Sequence, residues 1–128
     1  MDELKKYDLI ILCLGGGSKV YNKIIKKRSI YKDYKELAVT GYVKHNLKLL
    51  NTSQFFLKEG PLAILPFSKN CFSFVWSLEK KFYESNFKKI KDVVRTKILE
   101  ILKTQKNIRI NNVQSYPIFL GLKRQYHD

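Results

Sequence analysis

QFFLKEGPLAILPFSKNCFSFVWS, the stretch from Gln54 to Ser77, decides the fold of this chain. It contains two apolar runs, residues 61–67 and 71–77, on either side of the polar link Ser68-Lys69-Asn70. Two apolar runs joined by a short polar link are typical of two antiparallel strands and their turn. The stretch therefore predicts a β-hairpin with a loop of three residues.

The second strand of this hairpin has two different faces. Successive side chains of a strand point to opposite sides of the sheet. One side therefore receives the bulky residues Phe72, Phe74 and Trp76, and the other receives the small residues Ser73, Val75 and Ser77. A sheet of this kind packs a helix on its bulky face and leaves its small face free to roof a cavity.

A helix suited to the bulky face follows in the sequence. Residues 85–103 carry apolar side chains at helical spacings of three and four, with lysines mostly between them. These apolar side chains belong to Phe87, Ile90, Val94, Ile98 and Ile101. Ser85 is the expected N-cap and Asn107 the expected stop. We expect the apolar stripe to pack on the Phe72, Phe74 and Trp76 face.

The remaining apolar runs predict more strands. They lie at residues 36–45, with Gly41 at a bulge or close approach, and at 54–57, 108–113 and 118–126. Residues 7–14 predict a buried strand, followed by a glycine turn and a short helix to about residue 27. The expected fold class is α+β, a mostly antiparallel sheet with one long helix packed on one face, preceded by a β-α piece. We place a boundary between residues 1–30 and a sheet domain, 31–128.

Composition restricts the function without deciding it. The 128 residues have a net charge of +14, but the basic residues run from Lys5 to Arg124 without clustering, and most are lysine. A solvated lysine surface, an anionic membrane surface and nucleic acid all remain open. No apolar run approaches the ~18 residues that span a bilayer. Cys13 and Cys71 lie inside predicted apolar strands, which favours free buried thiols over a disulfide. Free thiols in turn indicate a cytoplasmic location.

Known catalytic and metal-binding motifs are missing from the sequence. The run Gly15-Gly16-Gly17 follows a predicted strand but completes neither a Walker A loop nor a dinucleotide fingerprint. His45 and His127 have no ligand partner at metal-like spacing, so we expect structural or surface roles for both. Glu59 is expected to be a solvated turn residue. The residues alone predict a sheet-and-helix domain with a possible pocket and no catalytic group.

Four segments in order resemble a known family. Three of them resemble the middle region of flavin-dependent aromatic hydroxylases of ubiquinone biosynthesis. They are LAVTGYVKH (37–45), EGPLAILPF (59–67) with FSFVWS (72–77), and YPIFL (116–120). That family is the 2-polyprenyl-6-methoxyphenol hydroxylase type, with a p-hydroxybenzoate hydroxylase-like fold. The opening YDLII (7–11) with Gly15, Ser18 and Val20 resembles the loop that in the family lies near the flavin pyrophosphate.

The resemblance implies a function that the residues alone do not. It implies an FAD-dependent monooxygenase that uses NAD(P)H and hydroxylates an aromatic polyprenyl-quinone precursor. Gly15 and Ser18 would contact the cofactor. Leu65 and Phe67, opposite Ser73 and Val75, would roof the ring pocket. The alternative is that both faces of the hairpin are ordinary core.

The family's G-x-G-x-x-G and G-D-A-A-H flavin motifs do not occur in this sequence. We therefore expect a central fragment that is inactive alone, completed by a partner chain that carries the FAD domain. The expected location is cytoplasmic, peripheral to the inner membrane. The other hypotheses are a basic module for anionic membrane or nucleic acid, and a domain that binds an apolar ligand without flavin.

Overall fold

The computed structural model describes residues 7–9, 11, 29–48 and 51–123. The chain divides into two compact units. One of them, Asp33–Leu120, falls within the predicted sheet domain and holds the helices and most of the sheet. The other comprises Met1–Lys32 and Gly121–Asp128. The domain 1–30 predicted from the sequence lies almost entirely outside the described residues.

Little of the predicted N-terminal strand is described. Tyr7, Leu9 and Ile11 lie outside regular secondary structure, and their side chains are exposed. The buried strand expected over residues 7–14 is not found at these positions, because an apolar run is buried only where another element covers it. The glycine turn and the short helix predicted after it lie outside the described residues.

The five described strands form one sheet. They are β1 (Ser29–Lys44), β2 (Ser53–Leu57), β3 (Gly60–Ser68), β4 (Cys71–Glu79) and β5 (Arg109–Lys123). Their order across the sheet is β2-β3-β4-β1-β5. The pairs β2–β3, β3–β4 and β1–β4 are antiparallel. The expectation of an α+β fold built on a mostly antiparallel sheet is confirmed.

The hairpin β3–β4 forms where the sequence predicts it, but its loop is shorter. Ser68 pairs with Cys71, so the turn consists of Lys69 and Asn70 alone. The register shifts between Pro66 and Ser68, which leaves Phe67 as an extra residue in β3. The expected three-residue loop is wrong because the β-bulge at Phe67 shifts the register by one residue, so that Ser68, the first residue of the expected loop, pairs with Cys71.

The helical segment begins earlier than predicted and has three parts. They are α1 (Lys80–Asn86), a 3₁₀ turn (Phe87–Lys89) and α2 (Ile90–Ile101). Ser85 is not an N-cap, because it lies inside α1 and its hydroxyl donates to the Lys81 carbonyl at 2.7 Å. The 3₁₀ turn also interrupts the predicted stripe. Phe87 is consequently exposed.

The helical segment also ends before its predicted stop at Asn107. Lys103 adopts a left-handed φ of 48° after α2, and the Thr104 N–H donates to the Leu99 carbonyl at 3.1 Å. Such a left-handed residue closes a helix by giving its last carbonyls a partner. Within the described part of the chain, no helix is both long and apolar enough to cross a membrane.

The core lies between one face of the sheet and the helices, as expected from the bulky alternation of β4. It is a single cluster of buried side chains. The sheet contributes Val39, Val43, Leu62, Ile64, Phe72, Phe74, Trp76, Leu78 and Ile110, α2 contributes Ile90, Val94 and Ile98, and Ile108 comes from the residue just before β5. The indole N–H of Trp76 donates to the Gly60 carbonyl at 3.1 Å, so the buried ring keeps its hydrogen bond.

Gly41 is a point of close approach, one of the two roles expected for it. A Cβ there would lie 2.9 Å from Cε1 of Phe74 and 3.0 Å from the Asn111 carbonyl oxygen. A side chain at this position would therefore push β1 away from both neighbouring strands.

A bulge also occurs in β5. Ile110 and Val113 both pack on the core although they are three residues apart, and Asn112 between them has a φ of 50°. An extra residue is needed to return Val113 to the face that Ile110 occupies. Asparagine tolerates the left-handed conformation better than most residues.

Candidate functional site

The second face of the sheet remains accessible, and it carries aromatic side chains. Tyr42 of β1 is 49% exposed, Leu65 of β3 is 38% exposed and Phe67 of β3 is 61% exposed. The side chains of Ser73 and Val75 on β4 are half-buried. We call these five residues the open-face patch.

The structure brings together the four residues that the resemblance assigns to a substrate pocket. Leu65 pairs with Ser73, and the Ser73 hydroxyl donates to the Leu65 carbonyl at 3.4 Å. Val75 follows two residues later on the same face, opposite Ala63. Phe67 lies just beyond Leu65, at the bulge. The strand alternation in the sequence was sufficient to place all four on one face.

Tyr42 completes the patch and was missed from the sequence. It pairs with Ser73 from the other side of β4. Its ring contacts Phe67 edge to face, with centroids 6.0 Å apart. The small side chain of Ser73, in the strand between them, leaves room for the two rings to meet. Alternation with the buried Val39 and Val43 was the feature that could have identified Tyr42 as outward-facing.

Two shallow depressions flank the Tyr42 ring. One, of about 380 Å³, has Ser73 and Val75 in its lining together with Gln114 of β5. The other, of about 530 Å³, lies between Tyr42 and Phe67 and extends to Arg109. An aromatic surface with a few polar groups around it is the usual composition of a small-molecule site. The open-face patch can therefore contact a planar ring, and apart from the Tyr42 hydroxyl it contains no acid or base to react with one.

The two cofactor-binding residues implied by the resemblance cannot be placed beside this patch. Gly15 and Ser18 lie outside the described residues. Among the residues that the structure describes, no group of three or more His, Cys, Asp or Glu could hold a metal ion.

Glu59 is not the solvated turn residue expected from the sequence. Its carboxylate lies 3.3 Å from Nζ of Lys97, which also contacts Glu100 at 3.1 Å. A hydrogen bond from its own backbone N–H, helped by the bond from Lys97, lowers the pKa of Glu59. The side chain is 26% exposed and ties the β2–β3 turn to α2. A carboxylate held ionised in a salt bridge is a poor general base at neutral pH.

His45 has a structural role, one of the two expected for it. It is only 5% exposed, and its ring lies against Phe72 with centroids 5.2 Å apart. Nδ1 accepts a hydrogen bond from the Leu47 N–H at 3.1 Å, whereas Nε2 is buried without a partner in the described part of the chain. Burial lowers the pKa of His45, because the charged ring would lose its hydration. The imidazole is therefore neutral at pH 7.

Cys71 is a free thiol that is half-buried rather than buried as expected. The difference follows from its place. It is the first residue of β4 and pairs with Lys44, at the end of the sheet where fewer neighbours can cover it. Cys13 lies outside the described residues.

A cleft of about 690 Å³ lies at this same end of the sheet. Lys44 ends β1, Arg109 begins β5, and Lys91 and Arg95 project from α2; all four line the cleft. The sequence did not predict this grouping, because the four residues are far apart along the chain. Asn46, Asn70 and Asn107 add amide groups to the lining, and it includes no acidic side chain.

Comparison with known proteins adds no assignment. The chain matches no protein-family model, and no curated protein is significantly similar to it.

Proposed function

We propose that this domain is the substrate-binding sheet of an FAD-dependent aromatic hydroxylase acting on a polyprenylated quinone precursor. The observation that carries the proposal is the open-face patch, where Leu65, Phe67, Ser73 and Val75 lie together on the sheet face opposite the helices. These are the residues to which the sequence resemblance assigns the roof of the ring pocket.

The shape of the patch supports an aromatic ligand. Tyr42 and Phe67 meet edge to face across β4, and the low side chain of Ser73 lies between their strands. A ring placed over Ser73 and Val75 would contact both aromatic side chains. Aromatic pairs in offset or edge-to-face arrangements contribute about 0.5–1.5 kcal/mol beyond the burial of their surface.

The division of labour follows from the residues of the patch. It contains no titratable group apart from the Tyr42 hydroxyl, so this face binds, orients and dries a substrate ring and does not itself transfer protons. In the proposed enzyme the flavin supplies the redox chemistry with O2 and NAD(P)H. An apolar roof excludes water from such a site. Gly15 and Ser18 are the residues proposed to contact FAD. A complementary chain would supply the two flavin motifs of the family that do not occur in this sequence.

Binding of a short-chain 2-prenylphenol tests the substrate face without requiring flavin. Phe67→Ala removes the ring that contacts Tyr42. We expect it to weaken binding about fivefold, because roughly 1 kcal/mol of aromatic contact is lost. Titration followed by NMR shifts of Tyr42 and Val75 measures the affinity and locates the ligand.

Phe56→Ala is the matched control. Phe56 belongs to the edge strand β2, is 85% exposed on the same face of the sheet as the patch, and lies outside the patch. It should leave the affinity unchanged within about twofold. Equal losses from the two variants, or shifts confined to other parts of the sheet, would contradict a ring site at the patch.

The flavin part needs its own experiment. The protein is mixed with FAD, alone and together with a chain that carries the G-x-G-x-x-G and G-D-A-A-H segments of the family. We expect yellow protein only in the second mixture, with NADH- or NADPH-dependent hydroxylation of the prenylphenol. If complementation retains no flavin while the prenylphenol still binds, the domain is an apolar-ligand module and the enzyme assignment is wrong.

A further inference from the structure

We infer that the cleft at the Lys44 end of the sheet is a binding site for a phosphorylated ligand, either a diphosphate or a phosphate ester. This site lies at the end of the sheet and shares Lys44, Cys71 and Arg109 with the depression between Tyr42 and Phe67, but it does not depend on the flavin hydroxylase proposal.

Convergence from separate elements is the first argument. Lys44 comes from β1, Lys91 and Arg95 from α2, and Arg109 from β5. Solubility explains lysines scattered over a surface. It does not explain why basic residues from three separate elements line one cleft. Arg95 and Arg109 are moreover the two arginines of the described part of the chain, and both line it. Arginine is the residue whose planar fork matches phosphate oxygens in two hydrogen bonds.

The charge of the cleft is unbalanced. Its lining includes no aspartate or glutamate, and within the described part of the chain no carboxylate forms a salt bridge with Lys44, Lys91 or Arg109. The opposite end of β4 differs, since the depression there has Asp33, Glu36, Glu79 and Glu84 alongside its lysines. Four cations around one cleft repel one another, and an anion between them relieves that repulsion.

The walls of the cleft are held in place by hydrogen bonds. The His45 N–H donates to the Asn70 carbonyl at 2.9 Å, which fixes the hairpin turn to the end of β1. The Arg95 guanidinium donates to the side-chain carbonyl of Asn107, and Lys106 donates to the Asn46 carbonyl at 3.4 Å. Fixed walls reduce the ordering that a ligand would otherwise have to impose.

Size and charge together indicate the class of ligand. A volume of about 690 Å³ exceeds what one inorganic phosphate occupies, and four positive charges suit an ion with several negative ones. The shared chemistry is therefore a diphosphate or a phosphate ester. It can come from a free soluble compound or from a lipid headgroup.

Calorimetric titration with inorganic pyrophosphate at roughly 50 mM salt is the first test. We expect wild-type protein to bind it, and R95Q or R109Q to weaken the affinity about tenfold by removing charge-assisted hydrogen bonds. K91Q is a second variant that does not disturb the Arg95–Asn107 contact, and it should weaken binding as well. Thermal melting of each variant confirms that it is folded.

K81Q is the matched control, because Lys81 is an exposed lysine in α1 near the opposite end of β4. It removes one charge and should leave the affinity within about twofold of wild type. Absence of pyrophosphate binding would overturn the proposal. So would equal weakening by K81Q and R95Q, since binding would then follow total charge, as it does for non-specific nucleic-acid binding.

Two further arms distinguish the sources of the phosphate. Phosphatidylcholine vesicles with and without phosphatidate are compared in a sedimentation assay, and pyrophosphate is added as competitor. Phosphatidate-dependent sedimentation that is lost in R95Q and blocked by pyrophosphate supports a lipid headgroup. Pyrophosphate binding without sedimentation supports a soluble ligand. Sedimentation that R95Q and R109Q do not change would contradict a role for the cleft.

Discussion

The two faces of β4 are made by alternating residues of one strand, yet they are subject to different demands. Phe74 and Trp76 are fully buried against the helices, whereas Ser73 and Val75, which alternate with them, are half-buried on a face that no described helix covers. Packing at near-crystalline density restricts what can stand on the buried side. The open side is not restricted in this way. Its small side chains flanked by exposed rings are the feature on which the proposed ring site rests.

The largest effect should come from emptying the buried face. Trp76→Ala removes the bulkiest core side chain and leaves the Gly60 carbonyl without its donor. It should lower the free energy of unfolding by about 3–5 kcal/mol. The same truncation at Phe56, on the open face, should cost less than about 0.5 kcal/mol. Urea unfolding of both variants measures the difference, and similar losses would show that the two faces are not distinct.

Gly60 sharpens the comparison at a point where the backbone of β3 lies against that of β4. Its φ is +130°, and a Cβ there would lie 2.0 Å from the backbone oxygen of Ser77. Gly60→Ala should lower the free energy of unfolding by about 2–3 kcal/mol, because both the conformation and the space exclude a side chain. Thermal unfolding provides the measurement. A variant as stable as wild type would show that β3 can move away from β4 without cost.

The smallest effect is expected where the buried face meets the basic cleft. Burial lowers the pKa of His45, so the unfolded chain takes up its proton first as the pH falls. The stability that this group contributes is complete above the unfolded pKa of about 6.5 and is lost as the pH drops below it. Melting temperatures at about pH 7.5 and 5.5 should therefore differ less in His45→Phe than in wild type.

All other titrating groups are common to the two proteins, so the comparison isolates His45. An identical pH dependence would show that the neutral, buried imidazole does not limit stability in acid.

The sequence was sufficient to predict features that depend on side-chain alternation. The period-two pattern of apolar residues predicts the hairpin and its two faces. Together with the helical spacing of three and four residues, it predicts the packing of Phe72, Phe74 and Trp76 against a helix. The open-face patch was largely predictable for the same reason, except for Tyr42. Each of these features is recorded locally, within one strand or one helix.

Other features depend on contacts that no local pattern records. The bulges at Phe67 and Asn112 arise because a strand has to return a later residue to the core, and apolar spacing alone did not show where the extra residue lies. The start of α1 was missed because β4 leads directly into it and its N-cap, Glu79, makes no side-chain capping hydrogen bond. The basic cleft was missed because the sheet order, and not the chain order, brings Lys44 near Arg109.

The sheet order also has a consequence for how the chain reaches this structure. β1 comes first in the sequence but lies between β4 and β5, so pairs such as Val39 with Trp76 join distant parts of the chain. Pairing between distant segments carries a larger loop-closure entropy and slows folding, whereas the β2–β3–β4 meander requires only short loops. The pairing of β1 with the edge strand β5 is less local still, because it places Gly41 beside Asn111. We therefore expect the meander to form first and β1 and β5 to pair afterwards.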